Sequence, residues 1–329
     1  MLNDAEKNFL KNKIGSDYKA DKLAGDASSR IYYRISTELK SYILCVDPNF
    51  VVSNPADYPF IKIRNLFCDN KVTVPELFHY DSSIGCILQS DHSDDLLLNV
   101  IEKSAGDERI VLYNQAIDEL IKIQSIKGSS SEIPFSISFD IEKLIFEFNF
   151  FIENILKIHF GFDSDDELKK LNEYFREICR LLYQPSLFVL CHRDFHSRNI
   201  LYSNGKHVVI DFQDARMGLP QYDLASLLRD SYMTLSGIEH DELFKYYYEL
   251  SYKKIHNMEI EKFKYYYDIV SFQRNIKAVG SFGYLTHIKK LSYYEKFIES
   301  TLRSASVFSL KMPELAPAMK IILKGAGLQ

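Results

Sequence analysis

Apolar residues follow two different spacings along the chain, and the change between them falls near residue 92. Before that point, short apolar or aromatic runs alternate with turn residues, which is typical of strands. A first helix is expected over 3–14 and a second over 55–69, where Asn54 and Pro55 provide a capping residue and a first-turn proline. The predicted strands are a hairpin over 20–35 about a Gly-Asp-Ala-Ser-Ser turn, and runs over 41–47, 76–81 and 84–90.

Beyond residue 92 the apolar residues recur every three or four positions, which indicates amphipathic helices. Two apolar runs, 188-FVL-190 and 207-HVVI-210, read as strands inside this helical half. The pattern predicts an α+β fold with a small β-rich lobe over 1–91 and a larger helical lobe over 92–329. Helices of the larger lobe are expected over most of the chain after residue 221 and over 95–104, 108–124, 139–160 and 165–183.

Composition argues against several classes of protein. Hydrophobic residues make up 46% of the 329 positions and charged residues 26%, which is ordinary for a globular protein. The net charge of −5 provides no global cationic field, so neither a nucleic-acid nor a membrane partner is expected. No uncharged apolar run is long enough to span a membrane. The five cysteines form no C-x-x-C pair, and no secretory signal pattern opens the sequence, so a cytoplasmic protein is expected.

A cluster of charged residues interrupts the apolar runs of 188-FVLCHRDFHSRNILY-202. Asp194 is followed five residues later by Asn199, and the apolar run 207-HVVI-210 then leads to Asp211. Phosphoryl transfer needs a base for the acceptor hydroxyl and hard oxygen ligands for Mg²⁺. Asp194 suits the base, and Asn199 and Asp211 suit the metal. An H-R-D triplet alone is common in charged loops, but the complete H-R-D-x-x-x-x-N, strand and Asp-Phe set is typical of kinases.

A nucleotide also needs groups that cover its phosphates. The segment 23-LAGDASSR-30 offers backbone N–H groups at a turn around Gly25, the hydroxyls of Ser28 and Ser29, and the charge of Arg30. An ordinary hairpin is the competing interpretation of this segment. Where the two lobes join, 87-ILQSD-91 would present backbone groups to an adenine edge, which makes Gln89 and Asp91 further nucleotide-binding candidates.

HRDFHSRN, together with VIDFQDA and 221-QYDLASLLRD-230, resembles the aminoglycoside phosphotransferase and choline kinase superfamily, a branch of the protein-kinase-like fold. Three stretches are similar to the bacterial anomeric kinases of N-acetylmuramate and N-acetylglucosamine in cell-wall recycling: 23-LAGDASSRIYYRI-35, the DFQDA form, and 271-SFQRNIKAVGSFGYL-285. The resemblance runs from about residue 20 to about residue 300. It implies a bilobal kinase-like fold, ATP and Mg²⁺ as cofactors, and an amino-sugar acceptor. It also implies that Asp223 is a structural acid that holds the catalytic turn.

The sequence departs from protein kinases at one ion pair. The run 41–47 contains no lysine, with Lys40 just outside it, and the predicted helix 55–69 contains no glutamate. The Lys–Glu pair that positions nucleotide phosphates in protein kinases is therefore not expected. Four cations are alternatives for the missing lysine, and the sequence does not choose between them: Arg30, Arg34, Lys62 and Arg64.

Acceptor contacts are sought around the expected base and in 271-SFQRNIKAVG-280, where Gln273, Arg274 and Lys277 lie on neighbouring helical turns. Arg274 would pair either with a substrate carboxylate, such as the lactyl group of N-acetylmuramate, or with a structural carboxylate such as that of Asp214 or Asp230. The acceptor-binding candidates are His196, Arg198, Gln213, Asp214 and Arg274.

Two alternative functions remain open. One is a kinase for another small alcohol, such as an aminoglycoside, choline or a different sugar. The mixed-to-basic segment 285–311 disfavours a polycationic acceptor. The other is a nucleotide-binding pseudokinase, which the missing strand lysine suggests and the complete set of Asp194, Asn199 and Asp211 opposes.

Overall fold

An antiparallel sheet of five strands forms the first lobe, in the order β1-β2-β3-β5-β4. The structure, a computed structural model, describes residues 1–23 and 29–329. The predicted hairpin is confirmed by the pairing of β1 with β2, while its turn, with Gly25 and Ser28, lies outside the described residues. The elements of this lobe are α1 (Asp4–Ile14), β1 (Lys19–Lys22), β2 (Ile31–Ser36), β3 (Ser41–Val46), α2 (Pro59–Asp69), β4 (Leu77–Asp81) and β5 (Cys86–Ser90).

Helix α2 begins later than the sequence predicted. Asn54 caps only a short 3₁₀ turn, Pro55–Asp57, and its side chain accepts the N–H of Ala56. Tyr58 is then extended, with φ −65° and ψ 126°, and the α-helix starts at Pro59. The physical reason is the second proline, because its ring disfavours helical geometry in the residue before it.

The second lobe is mostly helical, as predicted. Helix α5 continues into a π-helical turn, Ile152–Lys157, and the helix expected over 95–104 is reduced to α3. No helix in the described part of the chain is long and apolar enough to cross a membrane. The helices are α3 (Leu97–Ile101), α4 (Asp107–Ser125), α5 (Ile141–Phe151), α6 (Asp165–Leu182), α7 (Gln221–Leu228), α8 (Gly237–Ser251), α9 (Ile260–His287), α10 (Lys296–Ser309) and α11 (Ala316–Ala326).

Two short antiparallel strand pairs interrupt these helices where the charged cluster lies. β6 (Val189–Cys191) pairs with β9 (Arg216–Gly218), and β7 (Ile200–Ser203) pairs with β8 (Lys206–Val209). β9 was not predicted, because its residues, Arg216 to Gly218, form no apolar run. The predicted α+β architecture is thus confirmed, and the division of the chain at residues 91 and 92 stays a prediction.

Helix α9 packs unusually close to α5. A side chain at Gly280 would place its Cβ 3.0 Å from the Cα of Phe151, and one at Gly283 would lie 2.8 Å from the carbonyl oxygen of Asn154. The two glycines therefore permit a backbone approach that larger residues would prevent. This contact fixes α9, the helix that carries Arg274 and Lys277, against the core.

Candidate active site

The turn after β6 is held by one buried carboxylate. Asp223, in the first turn of α7, accepts the backbone N–H of His192 at 2.6 Å and that of Arg193 at 2.9 Å. Arg193 has φ of 86°, a left-handed conformation that a residue with a Cβ rarely adopts. Burial raises the pKa of Asp223 to about 7, against the effect of the two hydrogen bonds. Asp223 therefore holds the turn that leads to Asp194, as the resemblance implied.

The imidazole of His192 supports the same turn from inside. Its Nδ1 accepts the N–H of Asp194 at 3.3 Å, and its Nε2 donates to the carbonyl oxygen of Ile210 at 2.9 Å. Burial lowers the pKa of His192 to about 4, so the ring is neutral and can accept at Nδ1. Asn199 closes the loop, because its Nδ2 donates to the carbonyl oxygen of Asp194 at 3.0 Å.

Three cations surround the carboxylate of Asp194. Lys277 Nζ lies 2.5 Å from Oδ1, Arg274 Nη2 lies 3.6 Å from the same oxygen, and Arg193 Nε lies 3.9 Å from Oδ2. Burial alone would raise the pKa of Asp194, but these cations, with Lys277 first, hold it well below its usual range. Asp194 is therefore ionised and able to accept a proton, although the same cations make it a weak base.

Asn199 and Asp211 lie side by side because β7 and β8 pair. The N–H of Ile210 donates to the carbonyl oxygen of Asn199 at 3.0 Å, which brings the residues at the two strand ends together. Since the Asn199 amide nitrogen is used by Asp194, its Oδ1 is left for another group. Gln213 Nε2 donates to Oδ1 of Asp211 at 2.9 Å. Partial burial raises the pKa of Asp211, the Gln213 hydrogen bond opposes this shift, and Asp194 adds to it.

These two residues fit a magnesium ion. Within residues 1–23 and 29–329, no group of three or more His, Cys, Asp or Glu side chains could hold a metal by itself. Mg²⁺ is usually bound by one or two protein oxygens together with nucleotide phosphates, and it needs no complete protein cage. A divalent cation would also offset the electrostatic cost of placing Asp211 beside Asp194.

A cavity of about 760 Å³ opens between the lobes and contains Asp194, Asn199 and Asp211 in its wall. One part of the cavity borders the sheet and the lobe junction, with walls that include Tyr32, Ile43, Gln89, Leu201 and Ile210. The other part borders the helical lobe, with walls that include His196, Tyr232, Lys277, Phe282 and Tyr294. A cavity of this volume is within the range of ligand-binding sites in proteins.

Arg30 is a cation of the first lobe that is held by a buried carboxylate. It precedes β2, and its Nε donates to Asp47 Oδ2 at 2.7 Å. The hydroxyl of Tyr58 donates to the same oxygen, and Asp47 is only 1% exposed. The charge of Arg30 also lowers the pKa of Asp211, so its guanidinium lies within electrostatic range of that carboxylate. The first lobe thus contains a buried arginine–aspartate ion pair.

The other three candidates for the missing strand lysine also contact protein groups. Arg34 forms a paired contact with Asp91, at 2.7 and 3.1 Å, and also binds Asp94. Lys62 approaches Glu132 at 4.0 Å. Arg64 donates to the carbonyl oxygen of Pro75 at 3.1 Å. Arg30 is also held by Asp47, but it is the one of the four whose charge acts on the Asp211 carboxylate, and this favours it as the candidate.

Two of the remaining nucleotide-binding candidates line the cavity. Gln89 lies in the cavity wall, and its Oε1 is buried without a hydrogen-bond partner in the described part of the chain. Asp91 also lines the cavity, but its carboxylate is taken by Arg34. The Ser29 hydroxyl accepts from Asn49 Nδ2 at 3.3 Å. Their roles toward a nucleotide stay predictions.

Four of the five acceptor candidates line the cavity, and Asp214 is not among its described walls. Asp214 instead pairs with Arg193 at 3.0 Å, and Gln213 supports Asp211. Burial, aided by Arg274, lowers the pKa of His196 to about 3, so this ring is neutral. Arg198 donates to the Tyr294 hydroxyl at 3.2 Å.

Arg274 pairs with neither Asp214 nor Asp230, and its pairing with a substrate carboxylate stays a prediction. Its Nε donates to the Ser226 hydroxyl at 2.7 Å, and its guanidinium approaches Asp194. It therefore contacts the expected base, whereas the sequence offered Asp214 or Asp230 as its structural partner. Asp230 instead accepts from the backbone N–H and hydroxyl of Ser197.

Lys277 and the aromatic walls Tyr232 and Tyr294 were not among the predicted site residues. The helical spacing of the FQRNIKAVG motif drew attention to Lys277, one turn after Arg274, but did not distinguish it as a site residue. The tyrosines gave no signal, because the 22 tyrosines and 23 phenylalanines of this chain offer too many candidates for the sequence to distinguish.

Known proteins resemble this chain in sequence and in fold. A 27% identical relative is the N-acetylmuramate/N-acetylglucosamine kinase of Neisseria meningitidis serogroup B, aligned over 321 residues, 94% of this chain and 92% of the relative. The Pseudomonas aeruginosa protein of the same name is 28% identical, over 89% of this chain and 84% of its own.

Solved structures show the fold. The ADP-bound aminoglycoside phosphotransferase APH(2'')-Ib has a TM-score of 0.64 at 17% identity, covering 93% of this chain and 99% of its own. A choline kinase from Streptococcus pneumoniae has a TM-score of 0.62 at 16% identity, covering 92% and 99%. The predicted kinase-like bilobal fold is thereby confirmed. The phosphotransferase enzyme family matches residues 19–256, most of the chain, and the protein therefore belongs to that family of enzymes.

Proposed function

We propose that the protein is an ATP- and Mg²⁺-dependent kinase that phosphorylates the anomeric hydroxyl of N-acetylmuramate or N-acetylglucosamine. The observation that carries this proposal is the meeting of Asp194, Asn199 and Asp211 in one cavity between two lobes. The amino-sugar acceptor is supported by the names of the two bacterial relatives, which align over nearly the whole chain.

Asp194 is the residue that orients the acceptor hydroxyl and receives its proton. The turn that carries it is rigid, because Asp223, His192 and Asn199 each bind its backbone. Such rigidity is what general-base catalysis requires, since a small displacement of the base reduces the rate strongly. When bound, Mg²⁺ would neutralise charge on the β- and γ-phosphates. Asn199 and Asp211 would hold it through their side-chain oxygens.

The nucleotide would occupy the part of the cavity that borders the sheet. The segment from Gly25 to Arg30 would cover the phosphates, with Arg30 as the cation that replaces the missing strand lysine. Gln89 and the backbone near Asp91 would meet the base of the nucleotide at the lobe junction. The free Oε1 of Gln89 supports this assignment, because a buried acceptor without a partner is unfavourable unless a ligand supplies a donor.

The acceptor would occupy the part of the cavity that borders the helical lobe. Lys277 and Arg274 near Asp194, with Arg198 in the same wall, disfavour a polycation such as an aminoglycoside. An anomeric hydroxyl is more acidic than other sugar hydroxyls, because the ring oxygen withdraws electrons from its carbon. A base that three cations weaken is matched to such an acidic hydroxyl. His196 would face the acceptor as a neutral group.

The test is identification of the product. Purified protein is incubated with MgATP and N-acetylmuramate or N-acetylglucosamine, and ³¹P and ¹H NMR locate the new phosphate. The expected product carries it on C1, and the methyl glycosides of both sugars, whose anomeric oxygen is blocked, serve as matched controls that release no ADP. Phosphorylation of a methyl glycoside would place the transfer elsewhere on the sugar. ATP binding without turnover of any sugar, choline or aminoglycoside would favour a non-catalytic nucleotide-binding protein.

A further inference from the structure

We propose that Lys277 is a catalytic residue whose ammonium group contacts the transferred phosphoryl group beside Asp194. This inference rests on the proposed function, because it assigns a role within the same phosphoryl transfer. It concerns a residue on α9, more than eighty positions from the catalytic turn in sequence.

The contact with Asp194 places Lys277 at the reaction centre. Its Nζ lies 2.5 Å from Asp194 Oδ1, its side chain is 13% exposed, and it forms part of the cavity wall. An ammonium group has three N–H donors. Asp194 is its ion-pair partner among residues 1–23 and 29–329 and uses one donor, so two donors remain for a molecule in the cavity.

The neighbouring cations are committed to other groups. Arg274 is buried and donates to the Ser226 hydroxyl, and Arg193 pairs with Asp214 at 3.0 Å. Arg193 is also not among the described residues of the cavity wall. Of the three cations around Asp194, Lys277 has the nitrogen nearest to the carboxylate, at 2.5 Å against 3.6 and 3.9 Å, and it also lines the cavity.

Contacts on either side of Lys277 along α9 fix the position of this part of the helix. One turn earlier, Gln273 Nε2 donates to the buried Glu147 of α5 at 2.8 Å. Nearly one turn later, Gly280 lets the α9 backbone touch that of Phe151. The lysine therefore projects from a fixed helix, which is the preorganisation that electrostatic catalysis requires.

The proposed step transfers one proton and one phosphoryl group. The acceptor hydroxyl loses its proton to the Asp194 carboxylate as its oxygen forms a bond to the γ-phosphorus. The bond from that phosphorus to the bridging oxygen breaks, and its electron pair leaves with ADP. Lys277 keeps its protons and donates hydrogen bonds to a non-bridging oxygen of the phosphoryl group in transit. A cation there stabilises the charge spread over those oxygens in the transition state.

The test compares Lys277→Met with Lys277→Arg and with a matched control, Lys264→Met. Lys264 lies on the same helix and pairs with Asp268 at 2.8 Å, but its side chain is 60% exposed. Lys277→Met is expected to lower kcat by about 10²- to 10³-fold, as loss of one transition-state donor does. KM for the acceptor and ATP binding are expected to change little. Lys277→Arg should recover part of the rate, and Lys264→Met should match the wild type.

A second measurement separates contact with the phosphoryl group from simple positioning of Asp194. The ratio of rates with ATP and with ATPγS, in which sulfur replaces a non-bridging oxygen, is compared between wild type and Lys277→Met. A direct contact predicts a smaller ratio in the variant, whereas an unchanged ratio would overturn the proposal. Wild-type kcat in Lys277→Met would overturn it as well. If the wild type phosphorylates no acceptor, the proposed function itself fails, and the two failures are distinguishable.

Discussion

The carboxylate of Asp223 accepts the backbone N–H of Arg193 at 2.9 Å, at a residue held at φ 86°. A left-handed conformation costs a residue with a Cβ about 1–2 kcal/mol. The adjacent N–H of His192 donates to the other oxygen of Asp223 at 2.6 Å. One buried side chain therefore offsets the cost of a turn that aims the next residue, Asp194, into the cavity.

Replacement of Asp223 by asparagine should destabilise the protein. An amide can accept only one of the two N–H groups and turns its own donors toward the other. A buried donor left unpaired costs about 1–3 kcal/mol, so the free energy of unfolding in urea should fall by that amount, and kcat should fall with it. Asp241→Asn is the control, because the Asp241 side chain is 88% exposed. Equal urea midpoints for Asp223→Asn and the wild type would refute this role.

Replacement of Asp194 by asparagine should remove turnover while leaving the nucleotide site intact. Asparagine has nearly the same shape but cannot accept the hydroxyl proton, so kcat is expected to fall by about 10²- to 10⁴-fold. The dissociation constant for MgATP, measured by calorimetry, should change little. Asp69→Asn, on the exposed end of α2, should behave as the wild type. Substantial turnover in Asp194→Asn would contradict the assignment of the base.

The Gln213–Asp211 hydrogen bond predicts that loss of the Gln213 amide raises the Mg²⁺ concentration that activity requires. Gln213 was expected to bind the acceptor, but its Nε2 holds Asp211 Oδ1 at 2.9 Å. Loss of such a supporting group typically lowers metal affinity by about 10- to 100-fold. Gln213→Ala should therefore raise the Mg²⁺ concentration needed for half-maximal activity, with little change in the acceptor KM. A higher acceptor KM at an unchanged Mg²⁺ requirement would instead indicate that Gln213 contacts the acceptor.

Arg30 and Arg64 allow a matched test of the cation that replaces the strand lysine. Arg30→Met should weaken ATP binding at least about tenfold, equivalent to roughly 1.4 kcal/mol. It should also destabilise the fold, because the buried Asp47 loses its charge partner. Arg64→Met removes an arginine of α2 that donates to the carbonyl oxygen of Pro75, and ATP binding should be unaffected. Equal ATP affinities in the two variants would exclude Arg30 from the phosphate site.

The parts of the site that the sequence predicted are those that lie close together along the chain. Asp194, Asn199 and Asp211 are joined by one short strand pair, so their spacing alone carried the prediction. Lys277 and Asp47 could not be found in this way, because helix α9 and the segment after β3 approach the site only through tertiary packing. Likewise, the motif in α9 named Arg274 as a candidate, but its partner Ser226 depends on how α7 crosses α9.

A buried histidine far from the candidate site predicts how stability depends on pH. His256 accepts the N–H of Met258 at Nδ1 and contacts the Ser251 hydroxyl through Nε2, which leaves no place for a second ring proton. Burial lowers its pKa to about 4, below the value near 6.5 of an unfolded chain. Between these values the unfolded state binds more protons than the folded state. The stabilising contribution is therefore complete above pH 6.5 and is lost as the pH falls toward 4.

His256→Gln removes this titration but keeps a donor and an acceptor. Over the window from pH 6.5 to 5, the wild type should lose up to about 1.4 kcal/mol per pH unit more than the variant in urea unfolding. Other buried histidines, such as His192 and His207, remain in both proteins, so the difference between the two curves isolates His256. If the free energies of unfolding of the two proteins fall equally with pH, the folded protein accommodates a charged ring at this position. The variant should keep wild-type kcat at pH 7.5, because His256 lies outside the described walls of the cavity that contains Asp194.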